Sequence, residues 1–238
     1  MSALLSVRGL EAFYGAAQIL FGLDIDLNDG EVVALMGRNG AGKSTTMKAV
    51  MGLVARRRGA VAFRGDDISR DRPYRIARRG LGFVPEDRRI FGDLTVSENL
   101  EVGRLPPRGG ETRAPWTKER LYDLFPNLAE ARNRAAARMS GGEQQMLTVA
   151  RTLMGNPRAI LLDEPSEGVA PIIVEVMAQT ILSLKAAGVA ILLSEQNLPF
   201  AALVADRVYV LEKGEIRWQG TMAALAADEA TRRAYLEV

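Results

Sequence analysis

A chain of 238 residues with 47% apolar residues is long enough for one large domain or two unequal lobes around a sizeable core. It has no Cys and no His, which excludes disulfides, the commonest zinc ligands and a Ser-His-Asp relay; no apolar run nears the roughly 18 residues that span a bilayer, and MSALLSVRGL lacks a secretory-signal pattern, so a soluble cytoplasmic chain is expected. The net charge is +2, yet residues 56–138 hold 19 Lys/Arg against 12 Asp/Glu and the remainder 12 against 17; the arginines are interleaved with acids and lack regular aromatic partners, which predicts a solvated surface and no nucleic-acid stripe.

In chain order, LLSVRGL (4–10) and GLDIDL (22–27) alternate like half-buried strands, and EVVALMG (31–37) reads as a buried strand ending in glycine. A helix is predicted over residues 42–51, then a strand in GAVAFRG (59–65). TVSENLEVG (95–103) opens with Thr95 and Glu98 at capping-box spacing and continues with helical periodicity, as does the segment 117–125. RLPPRGGETRAP (104–115) is a Pro/Gly loop. Residues 141–154 carry an apolar face of Met146, Leu147, Val149, Ala150 and Leu153. A buried strand AILL (159–162) follows, then a helix over 171–187 closed by Gly188, a buried strand VAILL (189–193), a hairpin RVYVLEKG–EIRWQG and a terminal helix. Strand and helix alternate at both ends around a mostly helical insertion, an α/β core with a helical subdomain.

Three stretches carry chemistry. GRNGAGKST places Gly37, Arg38, Asn39, Gly40, Ala41, Gly42, Lys43, Ser44 and Thr45 at a strand-to-helix junction. Glycines turn successive amides inward there, the helix start adds partial positive charge, Lys43 reaches phosphate oxygens and Ser44 offers an oxygen to magnesium. ILLDEP tips a buried strand with Asp163 and Glu164. Beside a phosphate loop the first carboxylate would hold Mg2+ and the second would orient and polarise a water; the bland alternative is a helix cap, which leaves the anionic Asp163 unexplained. RMSGGEQQML places Ser140, Gly141, Gly142 and Glu143 at a helix start that can present a hydroxyl and bare amides to an anion; taken alone, SGG is a flexible turn.

In this order the three motifs resemble those of the ATP-binding subunit of an ABC transporter, and the similarity runs from about residue 4 to residue 237. The resemblance implies an α/β P-loop NTPase: one ABC ATP-binding domain over 1–238, with a mixed β core, an antiparallel N-terminal β portion and an inserted α-helical subdomain. Residues 1–87 and 156–238 would form the nucleotide-binding core, and 88–155 the helical signature subdomain. It implies ATP and Mg2+ as cofactors, Ser44 and Asp163 as metal ligands, and a head-to-tail dimer. In that dimer Gly37 to Thr45 of one chain face Ser140, Gly141, Gly142 and Glu143 of a second ATPase subunit, identical or paralogous. Tyr14 in FYG matches the aromatic that stacks on adenine, with a core aromatic as the alternative. SEGVAP (166–171) matches the loop that touches the opposite subunit.

Three positions depart from the common pattern. In AILLSEQNL (190–198), Gln196 stands where most relatives place a γ-phosphate-gripping histidine; it donates an amide hydrogen bond but cannot titrate. Glu86, in GFVPEDRRIF, replaces the glutamine that links the ATP site to the membrane partner, and Ala170 replaces the aspartate of the SEGVAP loop. Polar residues at a wet strand end or loop are the alternative for Gln196 and Glu86. Together with DLFPNL, SGGEQQML, EGVAPIIVE and a terminal AYLEV, these departures resemble the LivF-like branch of branched-chain amino acid uptake ATPases.

The resemblance implies catalytic roles for Glu164 and Gln196 and coupling through Glu86. It also implies integral membrane permease subunits as partners, indirectly a periplasmic solute-binding protein, and residence on the cytoplasmic face of the inner membrane. Related urea, amide, aromatic-acid or lipid-export systems are alternatives, as are a nucleic-acid or ribosome-remodelling ABC ATPase and a small-molecule kinase. The first of those last two lacks room here for its insertions, and the second has no use for Ser140, Gly141 and Gly142.

Overall fold

Residues 3–106, 108 and 113–236 are described by the computed structural model. β1 (Leu5–Tyr14) and β2 (Ala17–Leu27) form an antiparallel hairpin in which Leu5, Val7, Leu10 and Ala12 turn inward. β3 (Val32–Met36) is buried along its whole length and feeds α1 (Lys43–Val50). β4 (Arg56–Phe63) and the two-residue β5 (Asp66–Asp67) complete a four-stranded sheet in the order β2-β1-β4-β5. α2 (Pro73–Arg79) starts on a proline, ends at Gly80 and runs directly into β6 (Leu81–Val84). The apolar pattern did not single out α2 and β6, because seven and four residues are too few to display a period.

The next stretch is helical. α3 (Val96–Val102) is closed by the Thr95/Glu98 capping box, and α4 (Lys118–Leu124) by the Thr117 hydroxyl. α5 (Pro126–Glu130) precedes the thirteen-residue α6 (Gly141–Leu153). Of the Pro/Gly loop 104–115, residues 107 and 109–112 lie outside the described residues, as do the last two of AYLEV. β7 (Ala159–Asp163), α7 (Pro171–Ala186), β8 (Ala190–Glu195) and α8 (Leu198–Val204) follow, then the hairpin of β9 (Arg207–Glu212) and β10 (Glu215–Thr221). The single terminal helix expected from the sequence is two, α9 (Met222–Ala227) and α10 (Glu229–Tyr235). Asp228 separates them and caps Thr231 N.

The central sheet has the order β10-β9-β3-β8-β7-β6, with parallel pairing from β9 through β6 and an antiparallel β10 at one edge. Both faces are covered, so its strands are apolar on both sides. Ile160, Leu162, Ile191 and Leu193 pack with the helical region and α7, whereas Leu161, Leu192, Val33 and Leu35 pack with α1 and the N-terminal sheet. Each such side chain contributes about 1.5–3 kcal/mol on burial. This is the expected α/β class, with a mixed core sheet and an antiparallel N-terminal sheet. The helical region from α3 to α6 shares its apolar core with the sheet.

One consequence fixes the site. Register pairs Met36 with Glu195 and Asp163 with Ser194, so the carboxyl ends of β3, β8 and β7 finish side by side. That edge is where ligands bind in open parallel sheets.

Candidate active site

The loop between β3 and α1 is shaped by close approach. A Cβ on Gly37 would lie 2.3 Å from the Leu211 carbonyl oxygen, and Gly42 holds φ +113, where a Cβ would lie 2.9 Å from a Leu20 methyl. Gly42 is also the N-cap of α1 and offers no side-chain cap, so the first-turn amides face the loop, as an anion site requires. Arg38, Asn39 and Gly40 are exposed at the rim, Ala41 is buried, and Ser44 and Thr45 begin the helix half-buried. Lys43 is buried, and its Nζ donates to Gly37 O at 2.8 Å and Arg38 O at 3.2 Å. The same Nζ lies 2.9 Å from Glu164 Oε1.

Asp163 is fully buried at the end of β7. Its Oδ1 accepts from Ser44 Oγ at 3.0 Å and from Ser194 Oγ at 2.6 Å, while Oδ2, also buried, has no hydrogen-bond partner among the described residues. Burial raises the Asp163 carboxyl above its ordinary value, against the opposing pull of Ser194 and Ser44. A buried carboxylate oxygen without a donor is expensive unless a cation meets it.

Glu164 adopts φ +46, a region that side-chain-bearing residues rarely occupy. Its amide donates to both the carbonyl and the hydroxyl of Ser194 at 3.1 Å, which holds this conformation in place. Burial pushes its carboxyl up, but the hydrogen bond with Glu167 and the Lys43 ammonium outweigh this and hold it below the ordinary value. Glu167 carries the other end of that contact. Its hydrogen bond to Glu164, burial and the charges of Glu164 and Glu86 push it up to about 7.

The SEQN stretch, 194–197, resolves residue by residue. Ser194 donates to the Asp163 carboxylate and accepts from the Glu164 amide; Glu195 is buried, accepting from Ser166 N at 3.1 Å and Asn197 N at 3.2 Å, with burial raising its carboxyl. Gln196 stands exposed just past β8, and Asn197 caps α8 through Phe200 N. Sequence reasoning assigned no role to Ser194, Glu167 or Glu195. The parallel pairing of two strands that both end in polar residues was the signal for Ser194; Glu167 had none.

Other predicted site residues lie apart from this cluster. Ser140 and Glu143 form a capping box with each other, with Ser140 N to Glu143 Oε2 at 2.7 Å. Gly141 approaches the Arg88 guanidinium, Gly142 approaches Ile173 of α7, and Glu143 faces Arg134. Among the described residues, none of the hydrogen bonds or ion pairs of Ser140 and Glu143 reaches the phosphate loop. Tyr14 is half exposed at the β1–β2 turn and is no core residue. Glu86 is exposed on the turn after β6, and Ala170 is the N-cap of α7 without a side-chain hydrogen bond.

A family model described as ABC transporter matches residues 20–167. The chain is 40% identical to the "High-affinity branched-chain amino acid transport ATP-binding protein BraG" of Pseudomonas aeruginosa over 98% of this chain and 99% of that one. It is 34% identical to the "Lipopolysaccharide export system ATP-binding protein LptB" of Haemophilus influenzae over 98% and 97%. A solved "Structure of ATP binding subunit of ABC transporter" superposes with a TM-score of 0.81 at 30% identity, covering 98% of this chain and 96% of that one. Among the described residues no helix is long and apolar enough to cross a membrane. With its phosphate loop, buried strand-end carboxylates and full-length similarity to these proteins, the chain belongs to the ABC transporter family as one of its ATP-binding, ATPase subunits.

Proposed function

We propose that this ATPase is the motor of an importer for branched-chain or other hydrophobic amino acids, in which ATP closes a dimer of ATPase subunits and hydrolysis reopens it. The observation that carries the catalytic part is the 2.9 Å pair of Lys43 and Glu164 beside the Ser44–Asp163–Ser194 chain. The residues fit their cofactors. The uncapped start of α1 offers amides to phosphate, and buried Asp163 Oδ2 offers an oxygen to a hard cation. Mg2+ is commonly held by one or two carboxylates plus the substrate's phosphates. In bound form MgATP supplies a γ-phosphoryl group whose charge the metal neutralises.

Ser44 and Asp163 would hold the metal, and Lys43 would turn from Glu164 to the phosphates. Glu164 then loses the cation that depresses its pKa and becomes a better base for orienting the attacking water. Gln196, neutral and exposed past β8, donates an amide hydrogen bond to the γ-phosphate. Tyr14 stacks on adenine, and Ser140, Gly141, Gly142 and Glu143 close over the phosphates of the opposite subunit, identical or paralogous. Residues 88–155 act as the signature subdomain of a single ATP-binding domain.

Between α2, β6 and α3 lies a groove of about 360 Å³ lined by Ala77, Phe83, Phe91, Val102 and Leu105. In this reading it seats a short helix of the permease at the cytoplasmic membrane face, and neighbouring Glu86 relays closure. A periplasmic solute-binding protein delivers the solute.

Full-length similarity to the Pseudomonas branched-chain amino acid protein supports the solute class. A lipid-export role has support from the likeness to LptB, but Gln196, standing where most relatives place a histidine, belongs to the pattern that resembles the LivF-like branch. Co-purification of the tagged chain from its own cells decides between them. An amino acid permease pair supports the importer, and a lipid exporter's membrane subunits overturn it.

A further inference from the structure

Beside that groove, α2 presents a charged face with no counterpart in the ATP site. At 3.6 residues per turn, Tyr74 and Arg78 fall opposite buried Ile76 and Arg75 lies beside them. All three are exposed, as is Arg72 at the helix start. Both arginines lie over the Tyr74 ring, at 5.9 and 5.7 Å from its centroid, and Arg75 Nε donates to the Tyr74 hydroxyl at 3.2 Å.

The nearby acids are engaged elsewhere. Asp66 and Asp71 each pair with Arg79 at 2.8 Å, and Asp67 accepts from Ser69. Among the described residues, Arg72, Arg75 and Arg78 form no ion pair. Ala77 of the same helix lines the apolar groove, whose rim exposes Phe91 and Val102.

We propose that this face of α2 rests on anionic lipid headgroups, with Arg72, Arg75 and Arg78 meeting phosphates and Tyr74 at the headgroup level. The proposal rests on the reading of the chain as a peripheral transporter subunit, because that reading turns the groove, and so α2, toward the bilayer. The chemistry matches an interface: arginine stems and an amphipathic ring tolerate a half-wet environment, and each basic residue near an anionic surface contributes independently of sequence. Continuity with an apolar rim favours a bilayer over a nucleic acid, which offers no apolar layer.

The test is sedimentation of the full chain with phosphatidylcholine vesicles, with and without phosphatidylglycerol. Binding should require phosphatidylglycerol, weaken with added salt, and fall about 30-fold in Arg75→Gln/Arg78→Gln. Arg217→Gln/Arg233→Gln, which removes the same charge elsewhere, should bind like the parent. Basal ATPase activity and thermal midpoint should be unchanged in both. Equal binding to both vesicle types, or equal loss in both double variants, overturns the proposal. So does binding to duplex RNA that matches vesicle binding and is lost in the same α2 variant. Retained ATPase activity and permease co-purification alongside a negative vesicle result leave the transporter reading standing and remove only the lipid contact.

Discussion

Lys43 Nζ and Glu164 Oε1 sit 2.9 Å apart, both buried, joining the phosphate loop to the carboxyl end of β7. Two groups expected to act on opposite sides of a transferring phosphoryl group pair directly with each other. The ion pair keeps the lysine's charge satisfied until phosphate competes for it.

Lys43→Ala should therefore have two effects. Affinity for ATP should fall by about 10²–10³-fold, the scale of one lysine–phosphate interaction at a partly wetted site. The nucleotide-free chain should also lose about 3 kcal/mol, because Glu164 is left buried without its cation. Calorimetric titration and denaturant melts measure both, and Lys43→Ala/Glu164→Gln should recover part of the stability.

Glu164→Gln should bind ATP as tightly as the parent while steady-state hydrolysis drops by about 10²–10⁴-fold, the usual contribution of a positioned base. Undiminished turnover would assign the water to another residue.

Glu167 provides a pH dependence of known sign. Its carboxyl is raised from 4.5 to about 7 in the folded chain, so its contribution to stability is fully present below 4.5 and lost as pH rises through about 7. Glu164, depressed, titrates below that window. Asp163 and Glu195 are raised by burial, so they slope in the same direction as Glu167. The difference between the parent and Glu167→Gln isolates one group: the parent should lose stability relative to the variant between pH 4.5 and 7. Parallel melting curves across that range would contradict it.

Gln196→His should add an ionisation at about pH 6 to 7 to the ATPase profile, because an imidazole titrates there and an amide does not. Superimposable profiles would show that this side chain does not touch the γ-phosphate.

Ala170→Asp should stabilise the chain by about 1 kcal/mol, raising the thermal midpoint by about 2–4 °C. Ala170 is the N-cap of α7 with extended angles and no side-chain acceptor for the first-turn amides, and an aspartate supplies one. Differential scanning calorimetry checks it.

The local signals in the sequence were those with a short physical range. Two apolar runs ending in Asp163–Glu164 and Ser194–Glu195 identified buried strands with polar ends, and the spacing around Lys43 and Ser44 identified a phosphate loop. The capping-box spacing at Thr95 fixed one helix start to the residue. α2, β6 and α8 escaped, since elements of four to seven residues carry too little periodicity to stand out.

What the sequence by itself determined was the α/β alternation and the residues able to meet a phosphate or a metal, because each is written within one strand and the turn after it. Only the tertiary structure decided that β8 lies between β3 and β7. That placement puts Ser194 against Asp163 and sets Lys43 on Glu164. These contacts join residues up to 121 positions apart, and strand order and register, which no local pattern encodes, bring them within hydrogen-bond reach.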